Sequence, residues 1–354
     1  MNQPLITNHR QGRPMKKKML GAAAVAATFA LALTGCTTDS GSTDSSGEDL
    51  IAINVGYIDT SINGVGIIAV ANDQDLWTEA GLDVNLVPFT NGPTQIQAMA
   101  SGSLDVGYIG GGAMWMPASG QGTVITPNES TFGDYLIASP ESGATDMADL
   151  KGLKIGVPDG GSGEMILALA LEEAGLTEAD IERIPLDPPS VVSAFVAGQI
   201  DVAAIFSPLS DQIFESVPDA EIIANNRDFP ETEFLGAWVA SNDAAADKSE
   251  ALTRFLEVWI QANDYRISDT EDTVALSAAL SGAPADQLQS QADGLEWWTS
   301  DQILADNADG STFERFGAFT QLFVEVGRLT TDEASAPEDF INVDLFAAAK
   351  DNLK

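Results

Sequence analysis

The stretch Lys154 to Gly175, KIGVPDGGSGEMILALALEEAG, constrains the chain more than any other. An apolar run ends at Pro158, Gly160, Gly161 and Gly163 surround Ser162, and a helical pattern follows from Glu164 to Leu171. Read locally, this is a strand, a sharp turn and a helix start. The glycines permit the turn and a close approach of backbone to a ligand, and Ser162 is a good N-cap. The first amides of such a helix lack intrahelical partners, and together with the helix dipole they favour an anionic group. Any α/β protein also needs Gly-rich strand-to-helix turns, so the stretch alone speaks to fold class before ligand.

The same layout recurs along the chain. Ile51 to Tyr57 reads as a strand, with the polar groups of Asp59, Thr60 and Ser61 just beyond its end. A helical pattern over Gly64 to Ala80 precedes the alternating strand Leu82 to Phe89, a turn at Asn91-Gly92 and a helix from Pro93 to Ala100. Leu104 to Ile109 runs straight into Gly110-Gly111-Gly112 and Trp115, a second strand, glycine turn and helix start. Short strands are expected at Thr123 to Thr126 and Tyr135 to Ser139, with a lobe exit at Ser139-Pro140. Beyond the opening motif, strands are expected at Ile181 to Leu186, Ile200 to Phe206, Glu221 to Ala224 and Phe234 to Ser241, and Ser207-Pro208 closes the second of these. From Ala244 onward the pattern is almost wholly helical. Strands alternating with helices predict mainly parallel pairing, with ligands collected at the C-terminal strand ends.

With 354 residues the chain can bury a sizeable core and suggests about two domains. Lys16, Lys17 and Lys18 form a basic segment, Met19 to Leu33 is a short apolar run, and Leu33-Thr34-Gly35-Cys36 sets small residues before the only cysteine. That order describes an export signal, the run being short for a spanning helix. The LTGC box resembles the lipobox of bacterial lipoproteins, which implies a signal peptide over residues 1–35, lipidation of Cys36 and an address on the outer face of the cytoplasmic membrane. Residues 36–49 carry a Ser-, Gly- and Asp-rich stretch without apolar residues, a flexible tether. No internal disulfide is available, so the core must supply the stability. The leader holds five of the 16 basic residues and no acidic one, leaving 11 basic against 53 acidic, a net −42. Such a surface repels nucleic acid and anionic lipid. An anion bound by this chain would have to be held by local dipoles against the long-range field.

Three stretches in series carry a family resemblance: Phe89-Thr90-Asn91-Gly92 with the following Ala98 to Gly107, Leu150 to Pro158, and Pro188-Pro189 through Ala197 to Pro208. Their order and spacing resemble the taurine and aliphatic-sulfonate binding proteins of ABC importers, within the wider nitrate, sulfonate and bicarbonate group. The resemblance spans roughly residues 51–329. It implies an α/β, two-lobed periplasmic-binding-protein-like type II fold with a helical C-terminal portion. Residues 50–138 and 237–354 would form one discontinuous lobe and 139–236 the other, with hinges near Pro140 and Gly236, and closure around a ligand would be read by a permease. Gly110-Gly111-Gly112 stands where taurine-type relatives have a Gly-Ser-Ser turn, and Gly161-Ser162-Gly163-Glu164 where they have hydroxylated residues and a histidine. Both departures bear on the ligand and leave the fold intact.

The expected ligand contacts are Asp59, Thr60, Asn91, Gly111, Gly112, Trp115, Gly161, Ser162, Glu164, Ser207 and Trp238. Trp115 and Trp238 follow ligand-facing turns and could wall the pocket, cover a cationic head or pack beneath the cleft. Asp59, Asp159 and Glu164 could receive an amine or simply be solvated. No arginine falls in the expected cleft turns, which disfavours a guanidinium-clamped nitrate or phosphate. The expected function is capture of a small anionic or zwitterionic solute, taurine- or alkanesulfonate-like, by a monomeric lipid-anchored receptor that delivers it to an ABC permease and its ATPase. Nitrate, an amine zwitterion and a thiamine precursor stay open as ligands. An enzyme of the pyrimidine-forming type on the same fold is the alternative, as is a receptor for a signalling partner. With His9 in the leader and Cys36 lipidated, the mature domain has no histidine base, no thiol and no His/Cys metal cluster, so neither catalysis nor a cofactor is expected.

Overall fold

The computed structural model describes residues 50–229 and 232–354. The expected signal peptide, Cys36 lipobox and tether lie outside the described residues. Eleven strands are described: β1 (Ile51–Ile58), β2 (Leu82–Phe89), β3 (Val106–Ile109), β4 (Thr123–Thr131), β5 (Asp134–Ala138), β6 (Lys154–Val157), β7 (Glu182–Pro185), β8 (Val202–Phe206), β9 (Glu221–Asn225), β10 (Leu235–Ala240) and β11 (Leu295–Trp297). They form two sheets, ordered β11-β4-β10-β3-β1-β2 and β7-β6-β8-β5-β9. In the first, β2, β1 and β3 run parallel, with β1 and β2 in register from Ile51 opposite Leu82 to Ile58 opposite Phe89. β10, β4 and β11 then add in antiparallel fashion. In the second sheet β7, β6 and β8 are parallel, while β5 is antiparallel to both β8 and β9.

Sheet membership moves the expected lobe boundaries. Asp134–Ala138 belongs to the second sheet, so the chain changes lobe between Thr131 and Asp134 and not near Pro140. It returns between Asn225 and Leu235, so Gly236 already lies inside the first sheet. The expected short strand Thr123 to Thr126 continues to Thr131, because β10 supplies partners along its length. The tail is not purely helical either. Leu295–Trp297 pairs with the end of β4 and extends the first sheet by one strand, too short to leave a period-2 signal in the sequence.

Local chemistry explains the elements that frame the cleft. The helix Ile62–Asp73 is buried at every position from Ile62 to Ala71, as expected of a helix apolar all round, and it packs between the first sheet and the helices Ser249–Ser268 and Thr270–Ser281. It stops well short of the expected end at Ala80: Asp75 adopts φ 55°, a left-handed turn that Asp tolerates, before the short helix Leu76–Glu79. Ser162 is the first residue of the helix Ser162–Glu173, whose N-cap is Gly161 and lacks a side-chain cap bond, so the expected capping role of the Ser162 hydroxyl is corrected. Glu164 reaches back instead, its Oε2 accepting from the Gly160 amide at 2.7 Å.

Alternation divides the second lobe's core. Leu136, Val202 and Ala204 join a buried cluster that continues through Met165–Leu171 and Ala113–Met116 into the first lobe, whereas Ile137, Ala203 and Ile205 face a smaller cluster with Val191, Phe195 and Ile213. Each fully buried Val, Leu or Ile stabilises by roughly 1.5–3 kcal/mol. The inner face of lobe two is thereby joined to lobe one by continuous apolar packing.

Candidate functional site

Strands of both sheets end toward one another, and between them lies a cavity of about 140 Å³. Lobe one contributes Thr60, Ser61 and Asn63 after β1, Asn91 and Gly92 after β2, Tyr108 in β3 and Gly110–Ala113 after it, and Gln291 from the tail. Lobe two contributes Asp134 and Tyr135, Gly160–Ser162, and Phe206 to Pro208 with Asp211. Seven of the expected residues, Thr60, Asn91, Gly111, Gly112, Gly161, Ser162 and Ser207, line it. The Asn91 side chain also caps the helix Gly92–Ala100 by accepting from the Thr94 amide at 3.0 Å.

Asp59, Trp115, Glu164 and Trp238 do not line the cavity. Trp238, in β10 of the first sheet, is fully buried, its indole N–H donating to Asn128 at 3.2 Å, so its expected place at the ligand is corrected to packing under the cleft. Glu164 is engaged elsewhere: Arg183 reaches it at 3.0 Å and Arg328 at 3.5 Å. Arg183 also takes Asp159, which removes both acids as free amine receptors. Trp115 lies beside the Gly160 turn under the Arg328 guanidinium, 4.2 Å from its ring centroid. Arg328 follows the helix Ser311–Glu325 of lobe one, so its pair with Glu164 crosses the cleft.

The two glycine turns meet directly. A Cβ at Gly112 would lie 1.9 Å from the Ser162 nitrogen and 2.1 Å from the Gly161 carbonyl carbon. An anionic head therefore has no room between these two helix starts; the open space lies beside the contact. Gly160, at φ +69°, is pressed against Arg328, Pro93 and Trp115, so the same turn needs glycine both for its backbone and for the approach of the other lobe.

The charge of the cavity comes from residues the sequence did not single out. Asp134 is 2% exposed, and its carboxylate accepts from the Asn226 amide at 3.1 Å. Burial pushes its pKa up to about 6, against the downward pull of the Ser162 hydroxyl and the Asn226 amide. Asp211 keeps a buried Oδ2 with no hydrogen-bond partner. Burial, followed by the charges of Glu215 and Asp286, raises its pKa against the pull of the Ser210 and Ser207 hydroxyls. No Lys, Arg or His occurs among the lining residues described. Asp211 follows Ser207 past the end of the same strand, in the first turn of the helix Leu209–Ser216, so the C-terminal-edge rule that selected Ser207 could have found it. Asp134 and Gln291 left no such signal. Gln291 Oε1 accepts from the Ile62 amide at 3.1 Å and its Nε2 donates to the Thr60 carbonyl at 3.1 Å, capping a helix 229 residues away in sequence.

Beneath the cavity, the fully buried Arg266 donates to Asn128 at 2.8 Å, to Asn263 at 2.9 Å and to the Asn63 carbonyl at 3.3 Å. Glu129 accepts from the Tyr108 hydroxyl and the Asn128 amide. Burial raises Glu129 to about 7 and lowers Arg266 to about 9. This network fixes Tyr108 and Asn63, both of which face the cavity. Among the described residues, no group of three or more His, Cys, Asp or Glu is arranged to hold a metal ion.

The sequence matches the family described as NMT1/THI5 like over residues 63–273. It is 40% identical over 301 residues to a Brucella abortus (strain 2308) protein provisionally named a binding protein, covering 85% of this chain and 93% of that one. To the taurine-binding periplasmic protein of Escherichia coli (strain K12) it is 22% identical over 281 residues, 75% and 82% of the respective chains. Among solved structures, the alkanesulfonate-binding protein of Xanthomonas axonopodis pv. citri, bound to MOPS, matches with a TM-score of 0.63 at 21% identity, over 83% of this chain and 99% of that one. That last likeness is one of fold, and the architecture is the two-lobed periplasmic-binding-protein fold with a largely helical C-terminal portion.

Proposed function

Because the chain belongs to the NMT1/THI5-like family, with a binding-protein relative at 40% identity, we propose that it is an extracytoplasmic solute receptor of an ABC importer. It closes two lobes around a small polar molecule and presents the closed form to a permease and its ATPase. The observation that carries this reading is the cavity walled by strand ends of both lobes, so that a bound molecule touches both and favours closure. Cys36 holds the receptor, as a monomer, at the outer face of the cytoplasmic membrane. No helix among the described residues is long and apolar enough to cross a membrane.

The ligand is returned unchanged. The described residues include neither histidine nor cysteine, so the usual general base and thiol nucleophile are missing from the cavity wall. Of the expected solutes, a taurine-type zwitterion suits the two lining carboxylates better than a simple anion does. A thermal-shift and calorimetric screen of small zwitterions, followed by stimulation of the ATPase of the reconstituted permease, tests the reading. Ligand-dependent stimulation with quantitative recovery of the ligand is expected, and chemical conversion of the ligand or a permease indifferent to the loaded protein overturns it. For the anchor, Cys36→Ser should release the protein from the membrane fraction; equal membrane retention of both forms rules lipidation out.

A further inference from the structure

We infer that the cavity selects its solute through a positively charged nitrogen, ammonium or amidinium, received between Asp134 and Asp211, and that a sulfonate or other anionic group is dispensable. The inference rests on the solute-receptor reading and specifies which end of the solute is recognised.

The site is the inter-lobe cavity itself; the carboxylates set its charge. Asp134 enters at the start of β5 and Asp211 in the first turn of the helix Leu209–Ser216, so both belong to lobe two and both line the same 140 Å³. Their present partners leave acceptor capacity. Asp134 takes one amide hydrogen from Asn226 and the pull of the Ser162 hydroxyl, and a carboxylate offers about four lone-pair sites. The Oδ2 of Asp211 is shielded from water and takes no hydrogen bond at all. A buried acceptor left unmade costs about 1–3 kcal/mol, more when charged, so a donor arriving with the ligand recovers that cost.

The acids at the neighbouring Gly160 turn are already answered by cations of this chain: Glu164 by Arg183 and Arg328, Asp159 by Arg183. Asp134 and Asp211 face no lysine or arginine within the cavity wall. Tyr135 and Phe206 line the same wall, and aromatic rings can attract cations as well. For an anion the same wall is repulsive. The Ser162 turn, one of several helix starts in that wall, is pressed against Gly112, and its hydroxyl is drawn to Asp134. With a net charge of −37 over the whole sequence, the distant field concentrates cations at the cleft and disperses anions.

The test is calorimetric titration of the full chain at low salt with taurine, ethanolamine and acetamidine, against ethanesulfonate and nitrate. Ethanolamine or acetamidine, neither of which carries an anionic group, should bind, and ethanesulfonate and nitrate should not compete with the bound probe; binding of taurine alone overturns the dispensability of the sulfonate. Asp211→Asn, at a partly exposed position, should weaken that probe at least tenfold, and Asp134→Asn should do the same provided its thermal unfolding matches the parent. Tighter binding of ethanesulfonate or nitrate than of any amine or amidine overturns the inference while preserving the receptor reading, as does undiminished amine affinity in Asp211→Asn. If none of the five probes binds, the inference also falls, and the receptor reading is then decided separately by the permease assay.

Discussion

Gly112 shows how much a single missing methyl group decides. Its Cα lies where the first turn of one lobe meets the amide of Ser162 in the other, and a Cβ would overlap backbone, which cannot yield as a flexible side chain would. Gly112→Ala is expected to wedge the lobes apart, enlarging the radius of gyration in solution scattering and weakening ligand at least tenfold, with each lobe still folded by circular dichroism. An unchanged scattering profile would show that the contact is not what sets closure. At Asp134 the effect is electrostatic. Its folded pKa of about 6 lies above the ordinary 3.8, so between those values the folded protein holds a proton that the unfolded chain has released. Stability therefore falls as pH rises through that window, by up to roughly 3 kcal/mol, and is flat with respect to this group above it. Glu129, held at about 7, adds a decline in the same direction at higher pH. In urea unfolding at pH 4 and pH 6.5, the parent should lose more stability than Asp134→Asn does; equal losses would mean that the carboxylate is solvated when folded.

At the scale of elements, the helix Ser162–Glu173 serves both lobes. Its apolar side, Met165 to Leu171, joins the continuous core, while Glu164 in its first turn ties the Gly160 turn to Arg183 of its own lobe and Arg328 of the other. Arg328 is further held on the Trp115 ring, so the cross-cleft pair joins a cation already positioned to an acid already capped. With both partners less than a third exposed, a coupling of about 1 kcal/mol is expected after allowance for screening. A double-mutant cycle of Arg328→Gln and Glu164→Gln on thermal stability measures it, and additive effects would leave the pair without energetic weight.

Across the whole molecule, acidity dominates. The excess beyond the leader, 11 basic residues against 53 acidic, makes the folded chain repel itself, and that repulsion relaxes as salt shortens the Debye length from about 30 Å at 0.01 M to about 8 Å at 0.15 M. The melting temperature should therefore climb as sodium chloride is raised over that range, and a flat or falling trend would show that local ion pairs outweigh the net charge.

The periodicity of the chain by itself determined the α/β class, the full span of β2, and the two strand, glycine and helix turns at Gly110–Gly112 and Gly160–Gly163, because hydrogen bonding within a segment and the conformational freedom of glycine are local properties. Seven of the cavity-lining residues were legible for the same reason, since strand ends in an open sheet are where polar groups collect. Only the tertiary structure decided that β5 belongs to the second lobe, that Leu295–Trp297 closes the edge of the first sheet, and that Gln291 and Arg328 come back from the tail to the cleft. It also separated Asp134 and Asp211 from the many solvated acids around them. In a chain this acidic, residue type cannot mark a functional carboxylate; its burial and its partners do, and both depend on segments far apart in sequence that meet only when the fold is complete.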